Sequence, residues 1–300
     1  MRYISAQPAI LYYAWQIDIM IYSFINNGVK QEQIDIILAD NNENCDYYNK
    51  LKDKYKDVNF YYYPDTREDK FYVSSIRPHI LKKHFVKFPD LYKGAFLYHD
   101  CDIALTRPLD LEQYLDDEIC YLSDTKSYIG YNYIVSKGEA VLDRMLHCFD
   151  LDKKTVKDNE ENSGGAQYLL KNIDYKFWDN VEKDCVQLYK NIHQMNKKLK
   201  VLDKNYHELQ IWCADMWAVL WNLWIEKKQT KIIKEMDFIW ATDPKESWIK
   251  KAIFHNAGVT NTKNKLFYKG NWLSEVPPKN LDIDIDKSSY NYYQLLIEAL

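Results

Sequence analysis

Glycine is scarce in this chain, with 8 residues in 300, and proline is equally rare at 8. Phosphate-cradling loops need clustered glycines, so the Rossmann glycine fingerprint and the P-loop are both absent. A basic surplus is also missing. The net charge is −4, which argues against a nucleic-acid partner. The 6 cysteines, at 45, 101, 120, 148, 185 and 213, are scattered singly, without the close pairs of a zinc site or a disulfide framework. Reduced thiols in a cytoplasmic protein are expected. No apolar run reaches the length of a membrane span. The opening "MRYISAQPAILYYAWQ" has no charged head before a long apolar run, so no signal peptide is expected.

What is abundant is aromatic: 26 Tyr, 11 Phe and 9 Trp. Most of these suit a core, and aromatic faces also suit sugar rings. Apolar content of 47% beside 28% charged residues is that of an ordinary globular chain.

Hydrophobic spacing predicts alternating strands and helices in the first half. Strands are expected at Tyr3–Ala6, Ile34–Ala39, Val58–Tyr63 and Ala95–His99. Helices are expected at Tyr12–Asn26, stopped by Asn27-Gly28, at Asp46–Tyr55 and at Ser75–Phe85. Pro78 is tolerable there only in the first turn. This order predicts an α/β fold with a mostly parallel sheet covered by helices.

The second half is less regular. Ile119–Leu122 and Tyr131–Val135 read as strands, "GGAQYLLKN" as a helix start, and Glu208–Glu226 as a buried helix. The charged stretch Asp150–Gly165 reads as a mobile loop, "KAIFHNAG" as a short strand ending at His255, and the tail from Asn280 as closing in a short helix.

One stretch raises a chemical question. "GAFLYHDCDIALTRPLD" ends an apolar run at His99 and then sets Asp100 and Asp102 one residue apart. Such a pair is either a metal site or the polar end of a strand. Asp150/Asp152 and Asp282/Asp284/Asp286 show that chance supplies such spacings here. Context separates the first pair, because ligands of open parallel sheets gather beyond the strand carboxyl ends. With no glycine loop, nucleotide phosphates would need another positive charge, and Mg²⁺ or Mn²⁺ held by carboxylates supplies it. His99 adjoins the pair but points to the opposite strand face, which makes it structural.

"FLYHDCDIALTRPL" resembles the Asp-x-Asp strand of GT-A glycosyltransferases. "IFHNAGVTNTKNKLFYKGNW" is similar to the His-x-x-Gly…Lys segment of the family-8 retaining group, the glycogenin-like and lipopolysaccharide galactosyltransferases. "YVSSIRPHILKKHF" resembles the helix before their Asp-x-Asp strand, and "NSGGAQYLLKNID" a later segment whose polar residue reaches the donor sugar. "YYAWQIDIMIYSFINNGV" and "ADMWAVLW" resemble segments of hydroxyproline arabinosyltransferases and peptidyl-serine galactosyltransferases.

The resemblance implies one GT-A-like domain over 1–300: a nucleotide-binding half at 1–105, a donor-sugar and acceptor half at 106–279, and a tail at 280–300. It implies a metal-dependent glycosyltransferase, with retention favoured over inversion. Asp100, Asp102 and His255 would hold Mn²⁺ or Mg²⁺. Arg77 and Lys269 would meet the diphosphate of a nucleotide-sugar donor, most simply a UDP-sugar. Lys269 rests on a looser match, because Lys269-Gly270-Asn271-Trp272 stands where the family has Lys-Pro-Trp. Ser5, Ala6 and Gln7, after the first strand, would hold the base. Gln167 and Asp215 would face the donor sugar, with Asp215 as general base if the outcome is inversion. The acceptor would be a glycan or a glycosylated protein.

Each of these residues also has a plain structural reading. Asp215 would sit in a buried ion pair, Arg77 would pair with a surface acid, Gln167 would lie in a helix cap region and His255 would be a hydrogen-bonded strand end. Two rival functions share the fold. One is a catalytically silent glycan-binding or scaffold protein. The other is a sugar-nucleotide pyrophosphorylase, whose glycine-rich N-terminal loop "ISAQPAILYY" lacks.

Overall fold

The computed structural model describes residues 1–40 and 45–300. The elements run β1 (Arg2–Pro8), α1 (Leu11–Asn26), β2 (Ile34–Asp40), α2 (Asp46–Lys54), β3 (Asn59–Pro64), α3 (Ile76–Lys87), β4 (Phe96–His99), β5 (Ile103–Leu105) and β6 (Cys120–Asp124). There follow α4 (Lys126–Ile129), α5 (Tyr131–Ser136), α6 (Glu139–Phe149), α7 (Lys153–Asp158), β7 (Gly164–Leu170) and α8 (Tyr175–Leu202). The chain ends with α9 (Ala214–Ile225), β8 (Thr230–Ile232), β9 (Phe238–Trp240), β10 (Ile253–His255) and α10 (Ser288–Ala299). The fold is mixed α/β, with a mostly parallel central sheet of seven strands flanked by helices. All six cysteines are free thiols.

The chain divides into two compact units. The first comprises Met1–Pro64, Tyr98–Leu115 and Lys234–Leu300, the second Asp65–Leu97 and Asp116–Ile233. In the first, β1 and β3 flank β2 in parallel register, with Ser5 beside Ile36 and Gln7 beside Leu38. Both β1 and β2 are buried along most of their length, which is why they read as near-continuous runs rather than alternating ones. A second, small sheet has the order β5-β10-β9. Beneath it, Trp15 and Ile19 of α1 join Ala104, Ile239, Phe254, Phe267 and Tyr292 in one core. Trp15 Nε1 donates to the carbonyl of Trp272 at 3.2 Å, which satisfies its single polar atom.

The second unit is built on α8. Its buried stripe, Phe177, Val181, Cys185, Leu188 and Ile192, advances three or four residues at a time, as one helix face requires. Asp174 caps it by accepting from the backbone N–H groups of Lys176 and Phe177 at 2.8 and 3.1 Å. In this unit β6 pairs antiparallel with β7 and parallel with β8.

Several local expectations are corrected. Tyr131–Ser136 is helical, although its Tyr, Ile and Val residues favour a strand by propensity. "GGAQYLL" is the strand β7, not a helix start. Its register with β6 shifts between Leu122 and Ser123, and Ala166 adopts φ 67°. That irregularity breaks the two-residue alternation by which a strand is recognised. Within Asp150–Gly165 lies the helix α7, whose N-cap Asp152 accepts from Thr155 N at 2.8 Å. The apolar stretch from Glu208 becomes helical only at Ala214, after a short 3₁₀ turn, and Trp212 is 63% exposed.

Candidate active site

Strand β4 ends at His99, and the chain turns at once into β5. The turn is the Asp100-Cys101-Asp102 stretch. β5 then pairs antiparallel with β10, and His255 stands opposite Ile103, the residue after Asp102. Asn256 N donates to the carbonyl of Asp102 at 2.9 Å, which ties the two strand ends together. A ladder of three residue pairs therefore carries His255 to the Asp pair from a distant part of the sequence.

His255 Nε2 lies 3.3 Å from Asp102 Oδ1 and 3.7 Å from Asp100 Oδ2. One ligand atom from each of the three residues falls within 4.8 Å of the others. Asp102 and His255 are buried, and Asp100 is partly exposed. Two carboxylates and an imidazole, open on the Asp100 side, form an oxygen-rich donor set that suits Mn²⁺ or Mg²⁺. The residues fit a divalent cation.

Lys269 also reaches the cluster and pairs with Asp102 Oδ2. Burial alone would push the Asp102 carboxyl up. The Lys269 ammonium and the hydrogen bond from His255 overcome it and hold the carboxyl far below its ordinary value. Burial likewise disfavours the Lys269 ammonium, but Asp102, Tyr12 and Asp100 hold it charged. Tyr12 is drawn into the same field. Burial pushes its phenol up to about 12, against the pull of Lys269. Tyr12 opens the "YYAWQ" segment, whose resemblance carries no role for it.

His99 is buried, and its Nδ1–H donates to the Asp100 carbonyl at 2.8 Å. Burial lowers its pKa to about 4, so it stays neutral at ordinary pH. It is a structural support for the turn.

Ser5, Ala6 and Gln7 lie within β1 rather than after it, because the strand continues to Pro8. Ser5 and Gln7 share one strand face, and Ser5 Oγ donates to Gln7 Oε1 at 2.8 Å. Gln7 Nε2 is buried without a protein acceptor among the described residues, so it has a hydrogen bond to give.

The other predicted residues belong to the second unit. Arg77 Nη1 donates to Asp215 Oδ2 at 3.3 Å. Tyr72 Oη lies 2.7 Å from both Asp215 Oδ1 and the Trp212 carbonyl, and accepts from Asp215 N at 3.1 Å. Burial and the Asp215 charge push the Tyr72 phenol well above its ordinary value. Asp215 therefore has a cation, a phenol and the first turn of α9 to hold it. Tyr72 lies inside "FYVSSIRP", but nothing in its spacing to Asp215 marks the contact.

Gln167 is fully buried on β7, where its Oε1 accepts from Ser123 Oγ at 2.6 Å. The preceding glycines serve the protein's own packing. A Cβ at Gly164 would meet Leu122 Cβ at 2.4 Å, and one at Gly165 would meet Met216 Cε at 2.8 Å. Among the predicted residues, then, Asp100, Asp102, His255 and Lys269 converge on one cluster, and Arg77 and Asp215 on another. Gln167 joins Ser123 instead.

No protein-family model and no curated protein matches the sequence. Solved structures do resemble it. The bifunctional glycosyltransferase WbbM, in its apo structure, aligns over 100% of this chain and 49% of its own, at 9% identity and a TM-score of 0.50. The chain thus spans about half the length of WbbM. The galactosyltransferase LgtC, in complex with donor and acceptor sugar analogs, aligns over 99% of this chain and 96% of its own, at 11% identity and a TM-score of 0.46. Mouse xyloside xylosyltransferase 1 aligns over 86% and 99%, at 8% identity and a TM-score of 0.42. At the identity and overlap with WbbM, what is established is the architecture: the chain has a GT-A-like α/β fold.

Proposed function

We propose that the protein is a metal-dependent glycosyltransferase that moves a sugar from a nucleoside-diphosphate sugar, most simply a UDP-sugar, to an acceptor hydroxyl on a glycan or glycosylated protein. One observation carries the reading: Asp100, Asp102 and His255 bring three ligand atoms within 4.8 Å of one another at the carboxyl end of β4. Open α/β sheets bind ligands at that edge. When bound there, Mn²⁺ or Mg²⁺ supplies neutralisation for the charge of a leaving diphosphate.

The chain's own residues have the following roles. Asp100 and Asp102 offer oxygen ligands and His255 a nitrogen. Lys269 keeps Asp102 ionised and adds a positive charge for the diphosphate. The Gln7 side-chain N–H, lacking a protein acceptor among the described residues, suits a carbonyl of the nucleotide base. Arg77 would assist the phosphates, and Asp215 and Gln167 would line the donor-sugar side. Both oxygens of Asp215 are engaged by donors, Arg77 and Tyr72. A carboxylate so engaged is a poor proton acceptor, which favours retention over inversion with Asp215 as base.

A panel of UDP- and GDP-sugars tests the reading. Slow hydrolysis of one donor is expected with Mn²⁺ and not with EDTA. Silence across the panel, with Mn²⁺ binding intact, would favour the catalytically silent glycan-binding protein. That second reading draws on the buried Gln167, which is bonded to Ser123.

A further inference from the structure

The long helix α8 ends in a stretch that the second unit leaves uncovered. Its buried stripe runs from Phe177 to Asn196 and then stops. Beyond it Lys197, Lys198, Lys200, Val201 and Leu202 are all exposed. Val201 is 84% exposed and Leu202 82%. On a helix, residues four apart share a face, so Lys197 lies one turn below Val201 and Lys198 one turn below Leu202. Singly exposed aliphatic residues are common. An adjacent pair closing a helix, with lysines before and after, is a different arrangement.

The chain that follows does not cover the pair. Lys200 Nζ donates to the Tyr206 carbonyl at 2.9 Å, Tyr206 Oη to Asn196 Oδ1 at 3.3 Å, and Asn196 Nδ2 to the Leu209 carbonyl at 2.9 Å. Asn196 is on the buried side of α8. The returning segment is therefore fastened to that side, and Val201 and Leu202 stay in water.

The charge of the tip is opposite to that of the whole. Lys197, Lys198, Lys200 and Lys204 stand against Asp203, a local balance of +3 in a chain of net charge −4. We propose that the C-terminal turn of α8 docks on an anionic lipid surface, with Val201 and Leu202 entering the headgroup–acyl boundary and the four lysines meeting lipid phosphates. Lysine stems can lie along the apolar layer while their ammonium groups stay at the headgroups. A nucleic acid would use the lysines but has no place for two exposed aliphatic side chains. The contact is peripheral: no helix among the described residues is long and apolar enough to cross a membrane.

The test is co-sedimentation of the full chain with vesicles of phosphatidylcholine alone and of phosphatidylcholine mixed with phosphatidylserine. Binding is expected to the mixed vesicles only, and to weaken as salt rises. The double variant Val201→Ser, Leu202→Ser should weaken it about tenfold. Each Lys→Gln change at 197, 198, 200 or 204 should weaken it about fivefold. Melting temperature checks that these surface variants remain folded. Three results would overturn the proposal. The first is no binding to the mixed vesicles at low salt. The second is binding that the serine variant leaves unchanged and RNA competes away, the mark of a plain polyanion site. The third is self-association without lipid that the serine variant abolishes, which would make the pair a contact between two copies of this chain.

Discussion

Asp102 in the first unit and Asp215 in the second are both buried carboxylates, each held by a cation and a second group. Their surroundings differ in charge balance. Around Asp102 stand a second carboxylate, Asp100, an imidazole and a single lysine. There two carboxylates face one lysine. Around Asp215 one arginine balances one carboxylate, and a phenol fills the remaining oxygen. Buried charge is tolerated where partners balance it. The second cluster is complete as it stands, and the first has the capacity for one more cation. The same residue type is therefore offered to a cation in one place and paired within the protein in the other.

The largest expected effect is chemical. Asp102→Asn removes a ligand charge and should lower Mn²⁺-dependent donor hydrolysis about a thousandfold, or about 4 kcal/mol. Hydrolysis at near wild-type rates would take the first cluster out of catalysis.

Next is Lys269→Met, which leaves Asp102 without its lysine. Removing one partner of a buried pair costs about 3 to 4 kcal/mol. Urea unfolding should show that loss, and Mn²⁺ should restore much of it by replacing the missing positive charge. Arg77→Met should also destabilise, and Mn²⁺ should not help. If the metal rescues both variants equally, or neither, the contrast between the clusters fails.

His99 gives a pH effect of similar size. Its pKa is lowered to about 4 in the folded chain because burial disfavours the charged ring. The unfolded chain binds that proton nearer 6.5. Between those values the unfolded state holds more protons, so stability falls as pH drops from 6.5 and levels off below 4. The loss attributable to His99 is about 3 kcal/mol. Unfolding free energies of wild type and His99→Asn across this window should differ in slope. Parallel curves would remove His99 from the acid response.

The smallest effect is Tyr72→Phe. It removes the phenol O–H from a buried carboxylate and should cost about 2 kcal/mol. Mn²⁺ affinity should be unchanged, as measured by titration calorimetry. A weaker metal site in this variant would mean that the two clusters are linked.

The first cluster is legible in part for a physical reason. β4 is an apolar run that ends at His99, so the strand end marks Asp100 and Asp102, whereas His255 is joined to them only by the resemblance of its His-x-x-Gly segment. The second cluster was less legible. Asp215 reads as one half of a buried ion pair, but its partners Arg77 and Tyr72 come from a distant segment with no strand ladder to connect them. The α8 helix is hard to read from sequence because lysine, aspartate and asparagine outnumber its buried stripe. β7 reads as a helix start because two glycines and the left-handed Ala166 hide its alternation.

The central claim is that Asp100, Asp102 and His255 make a cation site that serves a nucleoside diphosphate. Thermal unfolding with UDP, with and without Mn²⁺, tests it most directly. Ligand at about 100 times its dissociation constant should add about 2.7 kcal/mol to wild-type stability when Mn²⁺ is present. The gain should vanish in EDTA and in Asp102→Asn. A gain of equal size in EDTA, or in Asp102→Asn, would contradict the account.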